Sequence, residues 1–423
     1  MGLDLRLYIV LFGLISVGAL VLKANLKRGP ALKFVSHATF CLSTSLLLFA
    51  SFVNAEVELH GFGSIRVGEI AGSIENPKIV DLYQDDGLNW RDESLFGLQS
   101  NVDLTEDLSF NTQLIGKGIN DFDPEVTLAF ARYQISPDQQ LRFGRLSMPL
   151  FSQTDVQYVG YAHDYARLPK ATYWRFEFET VDGLSYEAKH ALGDFTARYT
   201  LIWAEFRGDV FKNVVPDGVE IELQDMRSLS FALGYQNVEL FAGITDANTK
   251  GKNIDDFVFS PGVRFAVANS GADLLSQQSF FQELSVSKDA SYKFWGSRWR
   301  HEDWKIEYER AIYGILNSID ALTYTQYFAI SRRFDDYIFT VHREQYLQNQ
   351  ASPAGLATIS NNTLMKIAQQ LSIGINEPGY AMNVLSMRYD FAANMALKAD
   401  YFRGGSYSHG RFNGFSLGVD FVF

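Results

Sequence analysis

Residues 414–423 read GFSLGVDFVF and are the last ten of the sequence. In an extended strand, successive side chains point to opposite faces. Phe415, Leu417, Val419, Phe421 and Phe423 then share one face, and Gly414, Ser416, Gly418, Asp420 and Val422 share the other. One face is continuously apolar; the other is mostly small or polar. A soluble sheet would turn such a face to a core, and a membrane barrel would turn it to lipid. Chain ends are usually loose and solvated unless something ties them down, so this end is expected to be a strand fixed in a sheet.

The 423 residues include 34 Phe, 21 Tyr, one Cys and ten Pro. So many rings favour strands, and aromatic belts at a membrane interface are one use for them. Mean hydropathy is −0.07, which argues against a bundle of membrane helices. No linker or charge block divides the part after residue 55.

The first 55 residues differ from the rest. They carry five bases (Arg6, Lys23, Lys27, Arg28, Lys33), one acid (Asp4), and apolar runs at about 7–22 and 38–53. The second run ends Val53-Asn54-Ala55, a small-x-small pattern that predicts cleavage of a secretory signal after Ala55. The first run lies upstream of an ordinary signal, either as a mis-assigned start or as a membrane helix of marginal length. Cys41 follows Phe40, where a lipoprotein signal would need a small residue, and residues 56–423 contain no Cys. That segment holds 32 bases and 48 acids, a net −16, which argues against general nucleic-acid binding.

From Glu56 onward the pattern has period 2, with no convincing amphipathic helix of four turns or more. It predicts strands at 57–69, 93–105, 108–118, 125–136, 139–146, 180–190, 193–206, 225–236, 238–247, 287–300, 303–313, 321–334, 336–347, 379–391, 394–405 and 412–423. Each is near the length a tilted strand needs to cross a bilayer. Seven connections are short, such as Thr105-Glu106-Asp107 and Gln236-Asn237. They alternate with eight others: 70–92, 119–124, 147–179, 207–224, 248–286, 314–320, 348–378 and 406–411. All the long ones therefore fall on one rim. That asymmetry predicts an all-β fold: a transmembrane antiparallel β-barrel of about sixteen strands, with short periplasmic turns and long external loops.

The faces agree. Trp304, Ile306 and Tyr308 alternate with Lys305, Glu307 and Glu309; Met395, Leu397, Ala399 and Tyr401 alternate with Lys398 and Asp400. Charge at every second place is costly against lipid and cheap in a wet lumen. A soluble or secreted β-rich binding protein would also show this alternation, but it has no reason to sort its loops by length. Trp90, Trp174, Trp203, Trp304, Tyr389 and Tyr401 are candidates for interfacial girdles.

Three stretches carry a family resemblance. VELHGFGSIRVGE, 57–69, resembles the first strand of Gram-negative general porins, with His60 where Tyr is usual. LRFGRLSMPL, 141–150, followed by Tyr158, Gly160, Tyr161, Arg167 and Pro169, resembles the porin strand and loop in which a Gly-Arg pair precedes the constriction. Phe423 matches the terminal signal read by the barrel assembly machinery. The resemblance spans 56–423 in architecture and implies an outer-membrane homotrimer among lipid and lipopolysaccharide. It also implies that loop 147–179 folds inward as a constriction, offering Asp155, His163, Asp164, Arg167 and Lys170.

Arg66, Arg142, Arg198, Arg388 and Lys398 lie on non-lipid faces, and Arg132 is ambiguous. Acids on an inner loop facing a basic wall would set a transverse field, and rings of charge set ion selectivity. A plainer reading pairs these bases with Glu307, Glu309, Asp390 or Asp400. Much of the excess acid lies in loops (Asp81, Asp85, Asp86, Asp255, Asp256), so selectivity does not follow from net charge. Those acids are either sites for divalent ions shared with lipopolysaccharide or simply solvated. No nucleophile elbow, zinc-protease motif or P-loop occurs; Ser152, His163 and Asp155 or Asp164 make a triad only on paper. The expected function is passive diffusion of small hydrophilic solutes and ions, with no cofactor, metal or nucleic acid. The alternative is a channel selective for an anion such as phosphate or a carboxylate.

Overall fold

The computed structural model describes residues 56–72, 83, 87–148, 150–173, 179–210, 219–250, 255–256, 258–348, 359–376, 379–407 and 410–423. The readings made on residues 1–55, and on Trp174, Asp81, Asp85 and Asp86, lie outside the described residues.

Sixteen strands follow in order: β1 (Glu56–Gly72), β2 (Leu95–Asp103), β3 (Leu108–Lys117), β4 (Pro124–Ser136), β5 (Gln139–Ser147), β6 (Thr180–Leu192), β7 (Phe195–Val210) and β8 (Val219–Tyr235); then β9 (Val238–Lys250), β10 (Asp289–His301), β11 (Trp304–Ile315), β12 (Thr323–Phe334), β13 (Tyr337–Gln348), β14 (Tyr380–Ala392), β15 (Met395–Ser406) and β16 (Gly410–Val422). Every strand pairs antiparallel with its sequence neighbours, and β1 pairs with β16. Closure satisfies both edges of every strand, which is what allows a sheet to stand in hydrocarbon.

The seam explains the opening motif. Gly61 and Phe423 exchange backbone hydrogen bonds at 2.7 and 2.9 Å. The Phe423 ring lies over Gly61, and the Phe421 ring lies over Gly63. A Cβ at Gly63 would sit 2.6 Å from Phe421 Cζ, and one at Gly61 would fall within the Phe423 ring. The terminal aromatics thus cover bare backbone across the seam, a known use of rings beside strand glycines. Phe423 remains largely exposed on its other side.

The outer face carries the expected rows of exposed apolar side chains: Phe415 and Leu417 on β16, and Phe339 and Val341 on β13. Rings gather at the short-turn end. Phe195 stacks on Tyr235 at 4.6 Å and Tyr337 on Tyr389 at 4.5 Å, while Arg332 lies over Trp304. Trp203 lies in the middle of β7, next to a bulge, and is well exposed. Trp90 is exposed but lies off the strands, in the first long connection.

Two features depart from the sequence reading. The connection expected over 207–224 is mostly strand, because β7 runs to Val210 and β8 starts at Val219. Asp225 has φ 50° inside a bulge between Gln224 and Arg227. The extra residue puts buried Leu223 and Met226 three apart, which breaks the period-2 signal. The other departure is helix in the long connections: α1 (Lys170–Tyr173), α2 (Pro261–Ala268), α3 (Leu274–Leu284) and α4 (Asn362–Ile375). The longest has 14 residues, just under four turns. Its start and that of α3 are set by side-chain caps: Asn361 accepts from Thr363 N and Leu364 N, and Asp273 accepts from Ser276 N.

The buried core does not fill the lumen evenly. Phe259, Phe280, Leu284, Leu364 and Ala368 of the long connections join Phe151, Tyr165, Leu168 and Tyr173 of the connection after β5. Wall residues Tyr292, Phe294 and Tyr327 complete the cluster.

Candidate functional site

The described part of connection 147–179 lies inside the barrel. A backbone in that position needs partners for its carbonyls, and the inward faces of β14 and β15 supply them. Lys398 Nζ donates to the carbonyls of Gly160 (2.6 Å), His163 (2.7 Å) and Tyr165 (3.1 Å). Arg388 Nη1 donates to the carbonyls of Tyr161 (2.7 Å) and His163 (2.8 Å). Gly160 comes so close to β1 and β16 that a Cβ there would meet Ser64 Oγ at 2.6 Å and Asp420 at 2.7 Å.

The charges behind the loop are paired. Arg66 meets Asp420 at 2.6 Å, and Lys398 meets it at 3.0 Å. Arg167 of the loop reaches Glu93 (3.2 Å) and Asp400 (3.5 Å), and Asp164 reaches Lys305 (3.0 Å). Burial alone would raise the Asp164 pKa, but Lys305 holds it below the usual carboxylate range. Burial, reinforced by Lys398 and Lys305, pushes the His163 ring down to about 3. The ring is therefore neutral and donates from Nε2 to the Val156 carbonyl at 3.0 Å.

A second anchor has no basic member at its centre. Glu309 on β11 accepts from Ser152 N (2.9 Å), Ser152 Oγ (3.0 Å), Tyr173 Oη (2.7 Å) and Tyr327 Oη (3.3 Å). Burial raises the Tyr173 phenol well above its usual range, so it stays a donor. Beside it, Glu307 is held by Lys305 at 2.7 Å and Arg298 at 2.7 Å. Ser152 and Tyr173 are thus fixed to β11, while Lys117 of β3 donates to Tyr158 Oη at 2.8 Å and to Glu179 at 3.1 Å.

What the loop leaves free is a cavity of about 570 Å³ against β4–β10. Arg142, Arg198 and Lys189 line it from the wall, and Asp155 lines it from the loop. Arg142 pairs with Glu187 at 2.6 Å, and Arg198 pairs with Glu239. Asp155 and Lys189 have no ion pair among the described residues. Gln140, Ser185, Thr200 and Ser230 add uncharged polar groups.

The ten charged or histidine positions singled out from sequence therefore separate. Arg142, Arg198 and Asp155 face the cavity. Arg66, Arg388, Lys398, Arg167, Lys170, His163 and Asp164 are at the loop–wall contact. Arg66, His163, Arg167 and Lys170 border a second space of only about 50 Å³. Arg132 points inward, toward Ser109 Oγ. The paper triad does not assemble: Ser152 hydrogen-bonds Glu309, His163 binds a backbone carbonyl, and Asp164 binds a lysine. Asp255 and Asp256 are also engaged, with Ser285 and Val286 and with Arg264 respectively. No metal-ligand cluster occurs among the described residues.

Sequence reasoning did not find the Glu309 anchor. Its signal was present, because Lys305, Glu307 and Glu309 on one inward face need partners. Three of the four donors, however, are hydroxyls and an amide of the loop, more than a hundred residues upstream.

No protein-family model and no curated protein matches the chain. Solved structures match in fold. The outer membrane channel DcaP of Acinetobacter baumannii superposes with a TM-score of 0.55 at 11% identity, covering 87% of this chain and 97% of that one. The anion-selective porin from Comamonas acidovorans gives 0.51 at 13% identity, covering 88% and 100%. OmpF of Salmonella typhi, in complex with daunomycin, gives 0.50 at 12%, covering 87% and 97%. The chain has the closed barrel fold of these outer-membrane proteins.

Proposed function

We propose that residues 56–423 form an outer-membrane porin through which small hydrophilic solutes and ions diffuse passively. One observation carries this reading: a closed barrel holds an inward loop against half of its wall, leaving a polar cavity along the other half. The loop narrows the lumen and so acts as a size filter. Asp155 faces Arg142, Arg198 and Lys189 across the gap, which gives a transverse field of the kind that orders water and admits polar solutes.

The anion-selective alternative is the weaker reading. Arg142 and Arg198 each hold a carboxylate, so little positive charge is left over for a substrate. Four acids (Asp138, Asp155, Glu187, Glu239) stand against three bases on the cavity wall. The reading therefore gives a weak preference for cations. The remaining parts rest on the sequence resemblance: signal cleavage after Ala55, Phe423 as an assembly signal, lipopolysaccharide neighbours and a homotrimer.

The test is single-channel conductance of purified protein in a planar bilayer under a salt gradient. Large ohmic steps with a slightly cation-selective reversal potential are expected. Small steps blocked by low concentrations of one anion would favour the selective channel. Silence from correctly inserted protein would sink both.

A further inference from the structure

Arg298 stands on β10, where the cavity wall of β4–β10 meets β11, which anchors the loop. Its inward side chain lies in register between Glu239 on β9 and Glu307 on β11. Nη1 donates to Glu239 at 3.0 Å, Nε donates to Glu307 at 2.7 Å, and Nη2 donates to Ser152 Oγ of the loop at 3.4 Å. Every guanidinium nitrogen is thus engaged, each with a different segment of chain. A lysine amine is a single point charge and does not reproduce that fork. Arg298 is nevertheless not among the residues that line the cavity.

Both carboxylates are shared between two bases. Glu307 gives Oε1 to Arg298 and Oε2 to Lys305, at 2.7 Å. Glu239 gives Oε1 to Arg298 and Oε2 to Arg198. Arg198 stands on β7 and reaches Glu239 across β8, whose inward residues at that level are only Ala232 and Gly234. Asp164 of the loop meets Lys305 at 3.0 Å. From loop to cavity the order is therefore Asp164, Lys305, Glu307, Arg298, Glu239, Arg198, and the signs alternate and cancel. The cavity end is the open one. The Arg198 side chain is 54% exposed and that of Glu239 25%, against 15% for Arg298 and 2% for Glu307. What this end presents to a solute depends on how Glu239 is divided between its two guanidiniums.

We propose that Arg298 is a specificity-determining residue of the channel, a positioning residue that acts through Glu239. This rests on the channel reading above. Held in turn by Glu307 and Ser152, Arg298 keeps one carboxylate oxygen of Glu239 against the wall and leaves the other to Arg198. Such charge-assisted bonds are the strong ones, and a fork fixes direction as well as distance. Without Arg298 the released oxygen turns to the lumen, and the local field shifts toward cations, because charge along the path sets which ions concentrate there. Arg298 thus restrains the cation preference that the cavity's acids would otherwise give, and it does so without touching the solute.

The test reads the local charge directly. Ala232 lines the cavity at this end, and the full chain as C41S/A232C carries one thiol. In detergent, its modification rates by a cationic and an anionic methanethiosulfonate are compared. R298Q should raise the cation-to-anion rate ratio by about threefold or more, and E239Q should lower it. In the E239Q background, R298Q should change the ratio by less than about 1.5-fold. R298K keeps the charge but not the fork, and should show about half of the R298Q change or more. If R298Q does not migrate as a folded barrel, R298K is run in both backgrounds in its place. An unchanged ratio in R298Q would overturn the proposal. An equal change with and without Glu239, or wild-type behaviour of R298K, would make Arg298 a charge in its own right and overturn it too. In planar bilayers the reversal potential of R298Q should move toward cations; an unmoved potential in a conducting R298Q would remove the specificity role. A wild type that gives the labelling pattern without conducting would overturn only the channel reading, so the two fail separately.

Discussion

Lys398→Met removes the amine that holds the middle of the inner loop and keeps most of the side-chain volume. Three charge-assisted hydrogen bonds disappear, each worth about 1.5–3 kcal/mol. Not all of that is lost. The Gly160 carbonyl still accepts from His163 N, and the His163 carbonyl still accepts from Arg388. Asp420 keeps Arg66. Among the loop carbonyls only that of Tyr165 loses its one described donor. A net cost of about 3–5 kcal/mol follows for the docked segment 160–165, which raises its local opening constant by about two to three and a half orders of magnitude. The barrel itself has no reason to unfold, since its strand pairing is untouched. Residues 56–423 contain no Cys, so a single Cys at Ala166, which is 2% exposed, is a clean reporter. Maleimide labelling of A166C should accelerate by at least a hundredfold in the K398M background. Single-channel current should become noisier with a higher mean, while heat-modifiable migration stays normal. Unchanged labelling together with unchanged conductance would refute the assignment of Lys398 as the loop's anchor.

Gly61→Val drives a side chain into the Phe423 ring; the heat-modifiable form should be largely lost, and adding F423A should restore part of it. A G61V protein that closes as well as wild type would show that the seam tolerates a β-branched residue. Asp155→Asn removes the loop charge that faces the basic wall; the reversal potential should move toward anions, with conductance nearly constant, and no movement would remove Asp155 from the ion path. Asp320, in the connection after β11, has its pKa raised to about 6 by burial, against the opposing bond from Ile315 N. The folded form therefore binds the proton more tightly than the unfolded one. Its stabilising contribution is complete below about pH 4 and lost as pH rises through about 6. Thermal melts between pH 4 and 7 should show that loss, and D320N should flatten it.

Period 2 made the wall legible, and the alternation in connection length made the closure legible. Sixteen strands fall close to where the sequence puts them because each inward or outward choice is local to its strand. The bulge at Asp225 hid part of β8 for the same reason, since one extra residue inverts the faces beyond it. Helices α2 to α4 were not placed from sequence because each is shorter than four turns and buries its apolar residues in a cluster shared with segments far away in the chain, which no window around the helices contains. The site was half legible. Inward direction for Arg66, Arg142, Arg198, Arg388 and Lys398 followed from alternation. Which of them face the cavity depends on contacts such as Arg66 with Asp420, 354 residues apart, and Lys398 with Gly160, 238 apart. Only closure of the barrel brings such pairs together.

The division of the wall also constrains how such a molecule changes over time. Substitutions on β4–β10 alter the surface that a solute meets and leave Lys398, Arg388 and Glu309 with their partners intact. Substitutions on β11–β16 release the loop and alter everything that passes. If the barrel works as the proposed channel, permeability is therefore free to drift on one side of it while the other side stays fixed, so that new solutes are gained without the chain relearning how to fold.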